Sequence, residues 1–577
     1  MRTVFLLHLM MVRALLSAQP GTGAWTFTGT TTPTWAEAID AFRDLDHAHA
    51  GATLTVMGAD DDGSPIHLFI LHDGTAPHPD SLRAAGKRIL WITNGIHAGE
   101  PDGVDASLLL ASALLHSDQY MGLLAKTTVC IVPVYNVSGA QQRNSHSRAN
   151  QIGPEEYGFR ANARNLDLNR DFIKADSRNT RDLLKTLRHW DPDIYFETHV
   201  SNGADHQYVM ELLTTHPDRL EPALRMYLDG TLKPGLYEWM GQRGILMCPY
   251  FETLKDFPEQ GLHGFLDGPR YSSGHAGLCQ RIGILSETHM LKPFAERVNA
   301  TFQLMLATMA VMDRDGERLA RVREQSRRST ASAGTFGFNY TLDSTQVEWL
   351  DWKGYRAGHR NSAVSGLPRP YYDRGQPLDT LVPWLDRYAP SFFITKPKAY
   401  LIPQAWREVI TRLKLDEVAM EVVKDRTSFA VEVQRVQDLN TVKTPYEGRY
   451  LHHGITTATE KGRVEAMPGD VLVPMGHATD RLVMEILEPR ASDSFFAWGF
   501  FDSVLQQKEY FSSYVFEDIA TDLLARDPAL RRELEKKKSS DPAFAADAHA
   551  QLLWIYRRSP HHEPGYRRYP ITRVTGP

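Results

Sequence analysis

A chain of 577 residues exceeds what one hydrophobic core organises, so two or more domains are expected. With 42% hydrophobic and 23% charged residues the composition is globular, which excludes wholesale disorder. The formal net charge of −6 leaves no basic surplus of the kind that nucleic-acid partners demand.

Residues 1–18 start with a basic step and run through an apolar stretch, VFLLHLMMVRALLSA, to small residues. That layout reads as a secretory signal peptide, interrupted by His8 and Arg13, and makes export to a periplasmic or extracellular compartment the expectation. A cytoplasmic protein is the alternative. No other run reaches the roughly 20 apolar residues of a membrane span, so no integral span is expected once the signal is removed. Cys130, Cys248 and Cys279 make an odd count and therefore no complete disulfide framework.

Residues 34–315 alternate strand-like and helix-like segments. Arg88 to Thr93 is a short apolar run closed by Asn94-Gly95, a turn signal. Val104 to His116 reads as a helix, Thr128 to Tyr135 as a buried strand interrupted at Pro133, and Ser177 to Trp190 as an amphipathic helix. Asp193 to Thr198, Gln207 to Leu213 and Gly283 to Glu287 are further strands, and Lys292 to Met312 is a long helix. Such alternation predicts an α/β sheet with helices on both faces, whose ligands bind at the C-terminal ends of strands. Residues 321–333, charged and rich in small residues, read as a linker. The region 334–577 then mixes strands, two of them in Pro468 to Glu488, with helices from Glu517 onward, and carries no legible site.

Three segments carry chemistry. In ITNGIHAGE, His97 and Glu100 stand three apart directly after a strand, a spacing that puts both side chains on one side of a turn. Catalytic zinc takes three such ligands and leaves a fourth position for water. The tripeptide Glu-Thr-His occurs twice after apolar strands, at Glu197–His199 and Glu287–His289. Each copy offers a carboxylate and an imidazole on one strand face, and spacing alone leaves open which copy supplies the third ligand and which a base. Between them lies RANARNLDLNRDF, residues 160–172, dense in the arginines that recognise carboxylates bidentately.

Taken in order, His-x-x-Glu, Asp-x-Asn-Arg, a lone His and a late Glu resemble the zinc carboxypeptidase family, over roughly Ile89 to Val298. Asn136 to Gly139 (NVSG) resembles that family's Asn-Pro-Asp-Gly turn, with Val137 and Ser138 as departures. The resemblance implies a mixed, mostly parallel sheet with helices on both faces over residues 34–315, followed by a separate α+β region. It implies one zinc ion on His97, Glu100 and His199, with Glu287 as general base and Asp167 orienting the first histidine. It further implies Arg160 at the oxyanion, with Arg148 as the other candidate, Asn169 and Arg170 on the substrate's terminal carboxylate, and Tyr271 against the substrate. Glu197, His206, His275 and His289 then read as supporting groups, pocket lining or surface. The expected activity is hydrolysis of a peptide bond beside a free C-terminal carboxylate. The competing readings are a deacylase or amidase acting on acyl-amino acids or peptidoglycan peptides, and an inactive metal- or carbohydrate-binding protein.

Overall fold

The computed structural model describes residues 25–74 and 77–576. The signal-peptide reading of residues 1–18 lies outside the described residues.

Ten strands form in the front half: β1 (Ala52–Ala59), β2 (Pro65–Leu71), β3 (Arg88–Thr93), β4 (Thr127–Val132), β5 (Ile194–Ser201), β6 (Met210–Thr214), β7 (Met247–Pro249), β8 (Phe251–Thr253), β9 (Leu262–Gly264) and β10 (Ile282–His289). Eight of them build one sheet in the order β1-β2-β4-β3-β5-β10-β6-β7. The centre, β4-β3-β5-β10, is parallel, and antiparallel pairs flank it at β2–β4 and β10–β6. The predicted strand at Thr128 to Tyr135 stops at Val132, before Pro133, which has no N–H to give the ladder.

The central strands are apolar runs because both of their faces are covered. Successive side chains point to opposite faces, and the packing follows that alternation. Leu90 and Ile92 of β3 enter a core shared with the helices Asp102–His116 and Phe294–Ser332, while Ile89 and Trp91 enter a second core with Leu183, Leu184 and Leu187 of the helix Arg178–Trp190. Helices therefore lie on both faces, as the alternation predicts.

Two expectations are corrected in the rest of the chain. The stretch expected as a linker is helical through Ser332, the end of a 39-residue helix that starts at Phe294. Its charge misleads because Arg323 is buried: it donates to Asp193 Oδ1 at 2.8 Å and Asp191 Oδ1 at 2.9 Å, at the entrance to β5. Of the two strands expected in Pro468 to Glu488, only Val471–Pro474 forms, and Asp480–Leu487 is a helix. Its buried residues Leu482, Val483, Met484, Ile486 and Leu487 sit all round one end of a core, and a short apolar run of that kind does not reveal its period.

The α+β back half opens with β11 (Thr335–Leu342) and a long hairpin, β12 (Glu348–Asn361) and β13 (Pro368–Leu385). β13 pairs with β9 of the front half, Trp384 opposite Leu262. A six-stranded sheet includes a second long hairpin, Thr427–Thr441 with His452–Ala466. Ile173 and Leu278 of the front half are buried in the core of the back half. Four helical segments, Ser513–Arg526, Pro528–Ser540, Pro542–Ala545 and Ala548–Tyr556, follow, and the strand Thr572–Gly576 then returns to the six-stranded sheet. No helix among the described residues is long and apolar enough to cross a membrane. All three cysteines are free and buried.

Candidate metal centre and active site

The three metal-ligand candidates and Glu287 lie on, or directly after, strands of the central sheet. After β3 the chain turns at Gly95, whose φ of +63° is left-handed and suits glycine, and presents His97 and Glu100. The helix Asp102–His116 starts at once and presses on β5: a Cβ on Gly103 would lie 2.0 Å from Thr198 Oγ1. β5 carries Glu197 and His199 two residues apart on one face. β10 brings Glu287 into register beside His199 on one side and Glu211 on the other.

His97, Glu100 and His199 are 4%, 3% and 3% exposed, and their donor atoms converge within 4.8 Å. Nδ1 of His97 is 3.3 Å from Glu100 Oε1, and Nδ1 of His199 is 3.2 Å from Glu100 Oε2. The far nitrogen of each ring is held by a carboxylate: Nε2 of His97 meets Asp167 Oδ1 at 3.0 Å, and Nε2 of His199 meets Glu197 Oε2 at 2.8 Å. With Nε2–H donating outward, both Nδ1 lone pairs face inward beside a carboxylate. Nδ1 of His97 is buried without a hydrogen-bond partner, an orphan that a cation at this point would satisfy. Two imidazoles and one carboxylate, each ring anchored behind by a second carboxylate, are the donor set and support of a catalytic zinc site. Asp167 fills the role expected of it. Glu197, a candidate support for His199 on the sequence alone, is completely buried and does the same for His199.

The charges follow from this packing. Burial works to raise the Glu100 carboxyl, but Arg148, His97 and His199 outweigh it and hold Glu100 well below its ordinary value. Burial opposes charge on His199, yet Glu287, Glu100 and Glu197 raise its pKa well above the usual imidazole range. Burial raises Glu287, helped by Glu100 and Glu211 and opposed by His199 and Arg160. A divalent cation on the triad would shift that balance toward the Glu287 carboxylate.

One cavity of about 620 Å³ is lined by His97, Glu100, Arg160, Asn169, Arg170, His199, Tyr271 and Glu287, and by Arg148. Asp167 stands behind it. Each nitrogen of Arg148 makes one hydrogen bond, to Glu100 Oε1 at 2.7 Å, Val200 O at 3.0 Å and Gln151 Oε1 at 2.6 Å. Arg160 donates to Asp167 Oδ2 through Nε at 3.1 Å and Nη2 at 2.8 Å and to Glu100 Oε1 through Nη1 at 3.4 Å, and its side chain is 44% exposed. Asn169 Oδ1 accepts from the Ser272 N–H at 3.0 Å. The Arg170 guanidinium lies 4.4 Å over the Tyr271 ring, which joins the clamp and tyrosine candidates in one unit.

Glu211 was not legible beforehand. It is 4% exposed, accepts from Ser201 Oγ at 2.9 Å and His206 Nε2 at 3.0 Å, and burial pushes its carboxyl up to about 7. His206 and His289 are both fully buried with ring centroids 4.4 Å apart, so neither is a surface residue. His275 is also interior, 3.2 Å from Asp416 of the back half. The only signal for Glu211 was its place in a predicted strand.

Residues 41–202 match the family model described as zinc carboxypeptidase. This segment contains all three ligands, and with the buried triad it makes the site that of a zinc-dependent peptidase. Among curated proteins, carboxypeptidase 2 of Trichophyton rubrum is 23% identical over 513 residues, covering 85% of this chain and 88% of that protein. Carboxypeptidase 2 of Trichophyton equinum is 22% identical over 445 residues, covering 71% and 73%. Among solved structures, a metallo-carboxypeptidase from Burkholderia cenocepacia overlaps 48% of this chain and 69% of its own, with 17% identity and a TM-score of 0.35.

Proposed function

We propose, from the premise that the front half of this chain is a zinc carboxypeptidase domain, an exopeptidase that removes the last residue of a peptide with a free C-terminal carboxylate. The observation that carries the proposal is the alignment of β5 and β10, which sets Glu287 beside His199 and on the wall of the same cavity as Asn169 and Arg170.

Zinc bound by His97, Glu100 and His199 would lower the pKa of water and polarise the scissile carbonyl. Glu287 takes the proton of the attacking water and hands it to the leaving amine. Burial, with smaller help from Glu100 and Glu211, raises its proton affinity, which suits a group that must accept and then release. Arg160 is the partner for the developing oxyanion, because its side chain is 44% exposed at the cavity against 14% for Arg148. Asn169 and Arg170 bind the terminal carboxylate, Arg170 through its planar fork. Asp167 and Glu197 keep the two imidazoles in the required tautomer.

The test is hydrolysis by wild type and Glu287→Gln of a blocked dipeptide, its C-terminal amide and a set of acyl-amino acids, with zinc counted in both proteins. The expected result is release of the C-terminal residue only from the free-carboxylate peptide. The variant should hold the same zinc and turn over at least about a hundredfold more slowly, the usual scale of general-base loss. Equal activity in the variant, or equal cleavage of the amide, refutes the assignment.

A further inference from the structure

Toward its tip the hairpin of β12 and β13 is a two-stranded ribbon with unlike faces. Its segment Lys353 to Arg374 holds five cations and one carboxylate, in a chain whose formal net charge is −6. Past the irregularity at Tyr355 and Arg356 the strands keep register. Arg356 faces Asp373, Gly358 faces Tyr371 and Arg360 faces Arg369, while Ala357 faces Tyr372 and His359 faces Pro370. Side chains alternate along a strand, so Arg356, Arg360, Arg369 and Tyr371 share one face, and His359 and Tyr372 share the other. The second face packs on the front half: the buried Phe257 ring lies 5.0 Å from His359 and 6.0 Å from Tyr372. The arginine face is therefore the one turned to solvent, and all three of its arginines are exposed.

The charge on that face is unbalanced. Lys353 and Arg374, at the base of the ribbon, pair with Asp379 and Asp205 at 2.8 and 2.6 Å. The one carboxylate, Asp373, is turned to its own loop, where it accepts from Gly375 N at 3.0 Å and Gln376 Nε2 at 2.7 Å. The Arg360 guanidinium rests 4.2 Å over the Tyr371 ring, and Arg369 donates to Pro370 O at 3.4 Å. Among the described residues none of Arg356, Arg360 and Arg369 has an ion-pair partner. Arg360 and Arg369 stand directly opposite each other, and like charges so placed destabilise a pair of strands. An anion laid across them removes that cost. Arginine binds carboxylates through two parallel hydrogen bonds. Arg356 and Arg360, four residues apart, are separated by about 13 Å along the strand, which suits an extended ligand with several negative groups and not a single small ion.

The base of the ribbon is tied to the catalytic half. Gln207 N donates to Lys353 O at 2.9 Å, and the Tyr208 hydroxyl donates to Asp351 O at 2.8 Å. With Asp205, these anchors follow closely in the chain after Ser201 and Asn202, which line the catalytic cavity, although no residue of the ribbon lines it.

We propose that the face of Arg356, Arg360, Arg369 and Tyr371 is a docking surface for an acidic stretch of a polypeptide substrate, upstream of the C-terminus that is cleaved. The choice of a polypeptide rests on the carboxypeptidase reading; the choice of a polyanion rests on the ribbon alone.

The experiment compares the full-length wild type with the triple variant Arg356→Gln, Arg360→Gln, Arg369→Gln, both loaded with zinc and both checked for folding by circular dichroism. Two peptides share one C-terminal dipeptide and differ upstream, where one carries a run of glutamates and the other the same number of glutamines. Their C-terminal amides are used for binding by fluorescence anisotropy, and their free acids for hydrolysis. Wild type should bind the glutamate peptide about fivefold more tightly than the glutamine peptide, the order that a few exposed ion pairs supply together. The preference should vanish near about 1 M salt, where screening acts within a few ångströms. KM should follow binding, the variant should show no preference, and both proteins should cleave the blocked dipeptide alike. Equal binding of the two peptides by wild type, or a preference kept by the variant, overturns the proposal. Selective binding without hydrolysis of any peptide overturns the carboxypeptidase reading and the polypeptide as occupant, and leaves the face as a polyanion site. An anionic polysaccharide that binds wild type more tightly than the glutamate peptide, and loses that binding in the variant, overturns the polypeptide as occupant.

Discussion

Replacing Glu197 by Gln isolates what the carboxylate behind His199 contributes. Glu197 is fully buried, and its two oxygens take three hydrogen bonds: from His199 Nε2 at 2.8 Å, Ser272 Oγ at 2.6 Å and the Tyr195 hydroxyl at 2.7 Å. A glutamine of the same shape can point its carbonyl at His199 and Ser272. Its amide nitrogen then faces the Tyr195 oxygen, which can accept instead of donate. The network survives and only the charge goes. A carboxylate behind a metal-bearing histidine is typically worth ten- to a hundredfold in metal affinity, or about 1.4–2.7 kcal/mol at 1.36 kcal/mol per decade. The assay is zinc affinity by competition with a chelator near neutral pH, with circular dichroism to establish that both proteins are folded. A dissociation constant within twofold of wild type would refute the reasoning, because the 2.8 Å contact would then be incidental to the metal site.

Two further predictions concern stability. Burial works to raise the Asp176 carboxyl, but Arg449, Lys174 and Arg412 outweigh it and hold it at about 2, against an ordinary 3.8. A depressed carboxylate stabilises fully above its unfolded pKa and loses that contribution as pH falls through the folded one, so about 2 kcal/mol should vanish between pH 5 and pH 2. Urea midpoints against pH should show this acid-side loss in wild type and a flatter curve in Asp176→Asn; parallel curves would contradict it. Arg297 is fully buried and spends all its donors, two on Asp102 at 2.8 and 3.1 Å and the rest on the carbonyls of Ile152, Lys292 and Gly153. Arg297→Met should cost about 3–5 kcal/mol by stranding the Asp102 charge, and adding Asp102→Asn should recover part of it in the same unfolding assay. A double variant no more stable than the single one counts against the stranded-charge account.

What the sequence made legible depended on how local the determinants are. His97 and Glu100 lie within one turn of a strand end, and β3, β5 and β10 are apolar runs whose character survives any neighbour. His97, Glu100 and the sheet could therefore be read residue by residue, whereas His199 became the third ligand only through the family resemblance. The duplicated Glu-Thr-His could not be resolved by spacing, because its two copies differ in what packs behind them. Glu197 meets His199 of its own strand, whereas His289 is drawn toward His206 and Glu211 of the adjoining segment. Arg323 and its neighbours read as a linker because the carboxylates that bury them, Asp191 and Asp193, are 132 and 130 residues away. The contact of Glu447 with Asp167 spans 280 residues, and nothing in the sequence around Glu447 announces its partner.

The helix from Phe294 to Ser332 is about 58 Å long at 1.5 Å per residue. It begins five residues after the end of β10 and runs without interruption to the first strand of the back half. A strut of that length transmits displacement instead of absorbing it, so the two halves have no hinge between them at the place where composition suggests one. Severing the chain near residue 315 would cut the strut in mid-span and leave Asp191 and Asp193 facing solvent where Arg323 had been. The smallest peptidase that can be carved from this chain is therefore defined by where its longest helix ends, not by where its family resemblance does.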